Sequence, residues 1–157
     1  MKKTLILFLL MLLNSSIIFS QVNIALNKPV TTSTVANATY PKLLNDGNTS
    51  TAWNSSTGAT QWAQIDLLDV YDLSNITIAW GTASAGLYSV STSPNAKDWT
   101  VLSQITTTGA ANTKSLDITK TSVRYLRINM NIPNSGSGYA INEVTVAGAL
   151  STATAFS

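Results

Sequence analysis

The chain of 157 residues contains no cysteine and no histidine. The first absence excludes the disulfide staples on which many small extracellular domains rely, and with them any cysteine nucleophile. Together the two absences exclude zinc sites of the Cys/His kind and every mechanism that uses histidine as its base. Charge is scarce too, with nine Lys and Arg against seven Asp and Glu. Glu143 is the single glutamate. A glycosidase needs two carboxyl groups facing each other across a cleft. Asp66, Asp69 and Asp72 are close in sequence, but Asp66 falls on a strand pattern and Asp69 and Asp72 flank an expected turn. No acid–base pair emerges, so the chain is expected not to be an enzyme.

Long apolar runs are confined to the start. Lys2 and Lys3 precede the unbroken run Leu5 to Leu13, and Ser20 stands before Gln21. That run falls short of the roughly 20 apolar residues that span a bilayer. A basic start, a short apolar core and a small residue at the cut describe a secretory signal peptide over residues 1–20, cleaved after Ser20. The expected location is therefore secreted and extracellular, or periplasmic. No cysteine follows the cut to carry a lipid anchor. Removing the leader takes both lysines with it and leaves 137 residues with seven charges of each sign. Such a chain fits one domain. Its balanced charge gives no footprint for nucleic acid or anionic lipid.

What the remainder does have is short-period alternation. Ile65 and Leu67 alternate with Gln64 and Asp66; Ile76, Ile78 and Trp80 with Thr77 and Ala79; Leu126, Ile128 and Met130 with Arg127 and Asn129. Further runs lie at Tyr88–Val90, Trp99–Ile105, Leu116–Ile118 and Ile141–Val146, the last with an irregularity near Asn142. Segments rich in Gly, Ser, Thr, Asn and Pro separate them, residues that favour turns. The pattern predicts about eight short antiparallel strands in a sandwich or barrel over residues 21–149, with a flexible tail over 150–157. A helical turn is expected near Pro41–Leu44. Trp62, Trp80 and Trp99 lie on strand patterns and are assigned to the core; Arg124 and Arg127 are assigned to an outer face.

The segment Asp46-Gly47-Asn48-Thr49-Ser50-Thr51 has two readings. Its carboxylate, amide and hydroxyl oxygens can wrap a hard cation, since Ca²⁺ takes six to eight oxygens. An ordinary Asx turn at Asp-Gly uses the same residues.

Several motifs in order tilt the balance. Asn23-Ile24-Ala25-Leu26-Asn27-Lys28-Pro29-Val30 opens the series. Asp46-Gly47, Thr51 and Trp53 follow, then Trp62-Ala63-Gln64-Ile65-Asp66-Leu67 and Ile76–Gly81. Tyr88–Ser93 with Trp99, Arg124-Tyr125-Leu126-Arg127-Ile128 and Gly138–Val144 complete it. The succession resembles the discoidin, or coagulation-factor type C, domain, whose plan is shared by family 32 carbohydrate-binding modules. The resemblance implies an all-β fold, an antiparallel jelly-roll β-sandwich of the galactose-binding-like type. It also implies a structural Ca²⁺ held by Asp46, Asn48, Thr51 and Glu143, with Leu43 and Ala140 lending carbonyls.

It further implies a lectin-like site for a glycan or glycoconjugate among loops at one end of the sandwich. Tyr139 is the expected stacking platform, with closure of the core as its alternative role. Asn54 and Ser55, then Ser84 and Asn134, are the expected readers of sugar hydroxyls. The absence of histidine, and of arginine from these loops, departs from the pattern of galactose binders and leaves an extracellular protein as the other partner class. Membrane lipid ranks low, because the loop Ser55–Thr60 is neither apolar nor basic. The Met-Lys-Lys start is of bacterial type.

Overall fold

The computed structural model describes residues 22–36, 38–108, 113–136 and 138–152. The expected leader and most of the expected tail lie outside the described residues. Within them the chain forms strands β1 (Val30–Thr32), β2 (Trp53–Asn54), β3 (Gln61–Trp80), β4 (Ala85–Ser93), β5 (Thr100–Thr106), β6 (Thr113–Pro133) and β7 (Ala140–Leu150). A single 3₁₀ turn occupies Pro41–Leu44, with proline where its missing N–H costs nothing. The fold is all-β and antiparallel, as the alternation indicates.

Two strands are longer than the sequence pattern suggests. The runs around Ile65 and Ile78 join into the 20 residues of β3, and those around Leu116 and Ile128 join into the 21 residues of β6. Each serves two layers. The first half of β3 pairs with β1 and with the second half of β6, which pairs on with β4 and then β5. The second half of β3 pairs with the first half of β6 and with β7, which carries β2. Between the halves the register slips at Asp66/Tyr71, Tyr71/Leu73 and Leu73/Asn75, and Leu68 and Ser122 take positive φ (68° and 57°). The expected turn at Asp69–Asp72 is thus a bulged bend inside one strand. Bulges bend and twist the strand that carries them, and here they fold one hydrogen-bonded network over on itself.

The inner faces meet in one cluster. Ile65, Leu67, Leu126, Ile128, Met130, Tyr88 and Val90 come from one layer, and Ile76, Ile78, Ile141, Val144 and Val146 from the other, all buried. The Trp80 ring meets the Tyr88 ring edge-on across the layers, with centroids 5.0 Å apart. At about 25 cal/mol per Å² of apolar surface, this burial supplies the driving force that disulfides do not.

The tryptophans divide differently from expectation. Trp53 and Trp80 are core residues. Trp62 and Trp99 are not; both are half-buried on the outer face. Alternation explains Trp62, which shares parity with Gln64 and Asp66 while Ala63 and Ile65 turn inward. Between the two rings lies the Arg127 guanidinium, 4.9 Å from the Trp62 centroid and 4.1 Å from that of Trp99, with Nη2 donating to Gln64 Oε1 at 2.7 Å. Alongside, Arg124 forks onto Asp66 at 2.9 and 3.0 Å and holds that carboxyl below its usual range. The outer-face placement of both arginines agrees with the sequence reading.

A desolvated cation–π contact is worth up to about 2 kcal/mol. Arg127→Ala, which removes two such contacts, is therefore expected to lower stability by about 1–3 kcal/mol in urea unfolding. It should also red-shift tryptophan emission as Trp62 and Trp99 lose their cover; unchanged emission would contradict the stacked arrangement.

Candidate functional site

Two neighbouring features stand at the junction of β2, β3 and β7. The first is a carboxylate clasp. Val144 and Val146 point into the core, so Glu143 takes the opposite face of β7, where the loop after the 3₁₀ turn covers it. Only 4 % of Glu143 is exposed. Its Oε2 accepts the backbone N–H of Gly47 at 3.1 Å, while Oε1 is buried with no partner. Burial raises the pKa of this carboxyl, and the nearby Asp46 raises it further. Gly47 itself sits at φ 81°, and a Cβ there would lie 3.0 Å from Leu26 Cδ1, so both backbone and space favour glycine.

Asp46 gathers the rest of the loop. Its Oδ1 accepts Asn48 N–H at 2.9 Å, and Thr51 Oγ lies 3.0 and 2.9 Å from its two oxygens. Asn48 Oδ1 accepts Ser50 N–H at 3.0 Å. The loop is built of successive Asx turns, and it carries carboxylate, amide and hydroxyl oxygens, with the Thr51 hydroxyl against the Asp46 carboxylate. A buried carboxylate oxygen without a partner beside a second carboxylate is costly unless a cation compensates it. The donor set is all oxygen and suits a hard cation. Leu43 lies within the 3₁₀ turn just ahead of this loop. Ala140 points elsewhere, its carbonyl already accepting Gly81 N–H at 2.8 Å.

The second feature is a cleft of about 430 Å³ beside the clasp, lined by Ser50, Ala52, Asn54, Trp80, Gly81, Thr82, Ala140 and Asn142. A β-bulge builds it. Ala79 pairs with Glu143 and Trp80 with Ile141, so Asn142 is the extra residue, as the irregular alternation near it suggested. The Asn142 side chain donates to Thr49 O at 2.9 Å, tying cleft and clasp together. Gly81 permits the close approach: a Cβ there would lie 2.6 Å from Asn142 Oδ1 and 2.7 Å from Ala140 Cβ. No residue lining the cleft is charged.

Of the residues expected to read a ligand, Asn54 is in the cleft. Ser55, Ser84 and Asn134 are structural. Ser55 is buried, accepting Tyr139 N–H and donating to Ser56 O, each at 2.9 Å. Asn134 donates to Ser84 Oγ, Ala85 O and Thr107 Oγ1 at 3.0–3.3 Å, pinning β4 to the end of β6. Tyr139 is corrected as a stacking platform. Its ring is 1 % exposed and its hydroxyl donates to Ala59 O, so it closes the end of the core. An exposed aromatic lies instead at Tyr40, 62 % accessible, with Lys42 Nζ 6.0 Å from its ring centroid. Thr39 exchanges hydrogen bonds with the Asn54 backbone at 3.3 and 3.4 Å and sets Tyr40 beside β2. The position of Tyr40 directly before the 3₁₀ turn was the signal available in the sequence.

A family model described as a NedA-like, galactose-binding domain matches residues 43–128. No curated protein matches the sequence. Among solved structures, chitosan-binding module 1 of a chitosanase/glucanase from Paenibacillus sp. IK-5 is 26 % identical, with a TM-score of 0.74 over 81 % of this chain and 99 % of its own. Module 2 of that enzyme, in complex with chitotriose, is 28 % identical, with a TM-score of 0.73 over 80 % and 100 %. The family 32 carbohydrate-binding module of AlyQ, in complex with 4,5-unsaturated mannuronic acid, is 26 % identical, with a TM-score of 0.66 over 75 % and 92 %.

The correction at Tyr139 has a measurable consequence. Tyr139→Ala is expected to lower stability by about 3–5 kcal/mol, the usual cost of emptying a buried aromatic site. Tyr139→Phe should cost about 1 kcal/mol for its single hydrogen bond. A Tyr139→Ala protein of undiminished stability in chemical unfolding would return the ring to the surface.

Proposed function

The chain belongs to the F5/F8 type C family of NedA-like, galactose-binding domains, and from that membership we propose that it is a secreted, non-catalytic module that binds glycan in the cleft bounded by Asn54, Trp80 and Asn142. The observation that carries this reading is the chemistry of the cleft walls. Amide and hydroxyl groups both donate and accept, which matches sugar hydroxyls. The edge of the largely buried Trp80 indole gives the cleft an apolar floor for C–H groups. Tyr40, exposed and next in the chain to the Thr39 that bonds the Asn54 backbone, is assigned as the stacking face. The absence of charge favours a neutral glycan; a polyamine such as chitosan would find no carboxylate there to meet it. The lack of histidine and cysteine, and of facing carboxylates in the cleft, supports a binding rather than a catalytic role.

The test is a glycan array followed by calorimetry on the glycans retained. Asn54→Ala and Tyr40→Ala should each weaken binding about 5- to 30-fold with unfolding midpoints within 2 °C of the parent, given typical values of about 1–2 kcal/mol for a well-placed polar or stacking contact. Retained affinity in both variants would move the site away from this cleft.

We assign the clasp to calcium. Asp46 and Glu143 would hold the ion as carboxylates, with Asn48, Thr51 and the Leu43 carbonyl as further oxygen donors. Bound there, Ca²⁺ supplies positive charge that offsets a buried acid and pins the 46–51 loop to β7. Two carboxylates make a weak site, in the range of extracellular modules, on the order of 10⁻⁴–10⁻³ M. At 10 mM calcium the folded state should then gain about 1.4–2.7 kcal/mol, a rise in Tm of roughly 4–10 °C. The sign with pH follows from the raised pKa. Without the ion, Glu143 holds its proton more tightly when folded, so its contribution to stability declines as pH rises from about 4.5 through the folded value. Calcium reverses this at neutral pH and loses its effect as the carboxyl protonates. Glu143→Gln should abolish the calcium response without lowering the calcium-free midpoint. A Tm indifferent to both calcium and EDTA at pH 7 would remove the assignment.

A further inference from the structure

The opposite end of β4 carries a second recess. The cleft described above lies near the start of this strand, and its nine residues place Ser93 about 26 Å from Ala85 at strand rise. There, where β6 turns from one layer to the other, a groove of about 290 Å³ opens between Thr92, Pro94, Asp98, Lys120, Ser122 and Val123. Three features set it apart from a surface dent. Thr92 is 2 % exposed, and its hydroxyl is buried with no hydrogen-bond partner. Ser122 holds a left-handed backbone at φ 57°, its N–H donating to Asp72 Oδ1 at 3.1 Å; a non-glycine residue kept in that region marks stored strain. Lys120 has no carboxylate within ion-pairing distance among the described residues, although Asp98 lines the same groove.

We infer that this groove is a second saccharide site, sized for one neutral sugar ring. Its volume lies at the lower edge of small-ligand pockets, near 300 Å³. The Lys120 ammonium only donates, the Asp98 carboxylate only accepts, and the hydroxyls of Thr92 and Ser122 do either. A ring bearing several hydroxyls satisfies all of these together. Val123, buried in the core, and Pro94 give it an apolar floor for C–H groups. The inference rests on the glycan-binding reading only for the class of ligand. Two sites at opposite ends of one sandwich would let a single domain bridge two glycan strands, or two branches of one.

The test is a two-site titration of the isotope-labelled protein by NMR, with galactose, N-acetylglucosamine and mannose as probes. Expected are two groups of shifted amides with separate saturation curves, one at residues 50–54, 80–82 and 140–142 and the other at 92–98 and 120–123. Thr92→Val should reduce the second group's affinity at least tenfold, leave the first group unchanged and leave Tm equal or higher, since it removes an unpaired buried hydroxyl without changing shape. Lys120→Met should weaken the same group alone. Shifts confined to the first group would overturn the second site and leave the cleft reading intact. Shifts confined to the second group would uphold it while overturning the cleft. No shift with any of the three sugars would overturn both, and so would a Thr92→Val protein that binds at the groove as tightly as its parent.

Discussion

A single buried carboxylate organises this molecule. Glu143 reaches from the last strand to the backbone of Gly47, across nearly a hundred residues of chain, and the elements around it are arranged to cover it. The segment Asn23–Lys28 is the outer strap. Asn23 Oδ1 accepts Ala25 and Val146 N–H, and Asn45 donates to Ala25 O and Lys28 O. The first and last parts of the sandwich are thereby stitched to one loop through side-chain amides, which saturate backbone groups that no sheet reaches. A domain without disulfides closes its ends in this way. The cost is an acid held out of water with one oxygen unmatched, and that unmatched oxygen is what makes the loop chemically interesting.

The cleft inherits its shape from the same place. Glu143 faces the loop and Ile141 faces the core because Asn142 is inserted between them as a bulge. If these three residues followed the strict alternation of a strand, Ile141 and Glu143 would share a face and one of them would be on the wrong side. The bulge thus settles a conflict between a buried acid and a buried isoleucine, and Asn142 is left over at the mouth of the cleft, bonded back to Thr49. Clasp and cleft are consequences of one irregularity in β7.

Much of this was legible in the sequence. The alternation around Ile65, Ile78 and Ile128 named the core strands and the inward residues correctly, and the series of motifs from Asn23 to Val144 led to the right family. The association of the Asp46 loop with Glu143 came from resemblance, since nothing local in either segment points to the other. Strand lengths were less readable. Bulges let β3 and β6 run past Asp69 and Lys120 and change layers, whereas polar residues in that stretch read as turns. The side chains at the sandwich end were the least legible. Tyr139, Ser55, Ser84 and Asn134 are polar residues in loops, and composition alone does not distinguish a loop residue offered to solvent from one that satisfies the backbone of its neighbour. Trp62 is the instructive case. Its size led to its assignment to the core, but its strand parity with Gln64 and Asp66 points outward, and in the structure parity decides because Arg127 covers the ring.

The distribution of charge bears on what kind of recognition such a domain can perform. Asp66 is taken by Arg124, Asp72 by Ser122 N–H, Asp98 by the Asn95 amide and Asp117 by the Asn75 amide. Asp46 and Glu143 serve the clasp, and Arg127 lies between two indoles. With so few charges in the chain, those assignments leave the cleft to amides, hydroxyls and carbon. Hydrogen bonds between neutral groups are roughly half as strong as charge-assisted ones, so no single contact in the cleft can dominate. A ligand in such a cleft would be discriminated by the directions of several weak donors and acceptors held rigidly. That rigidity is what the bulge, the glycine at position 81 and the bond from Asn142 to the clasp loop provide.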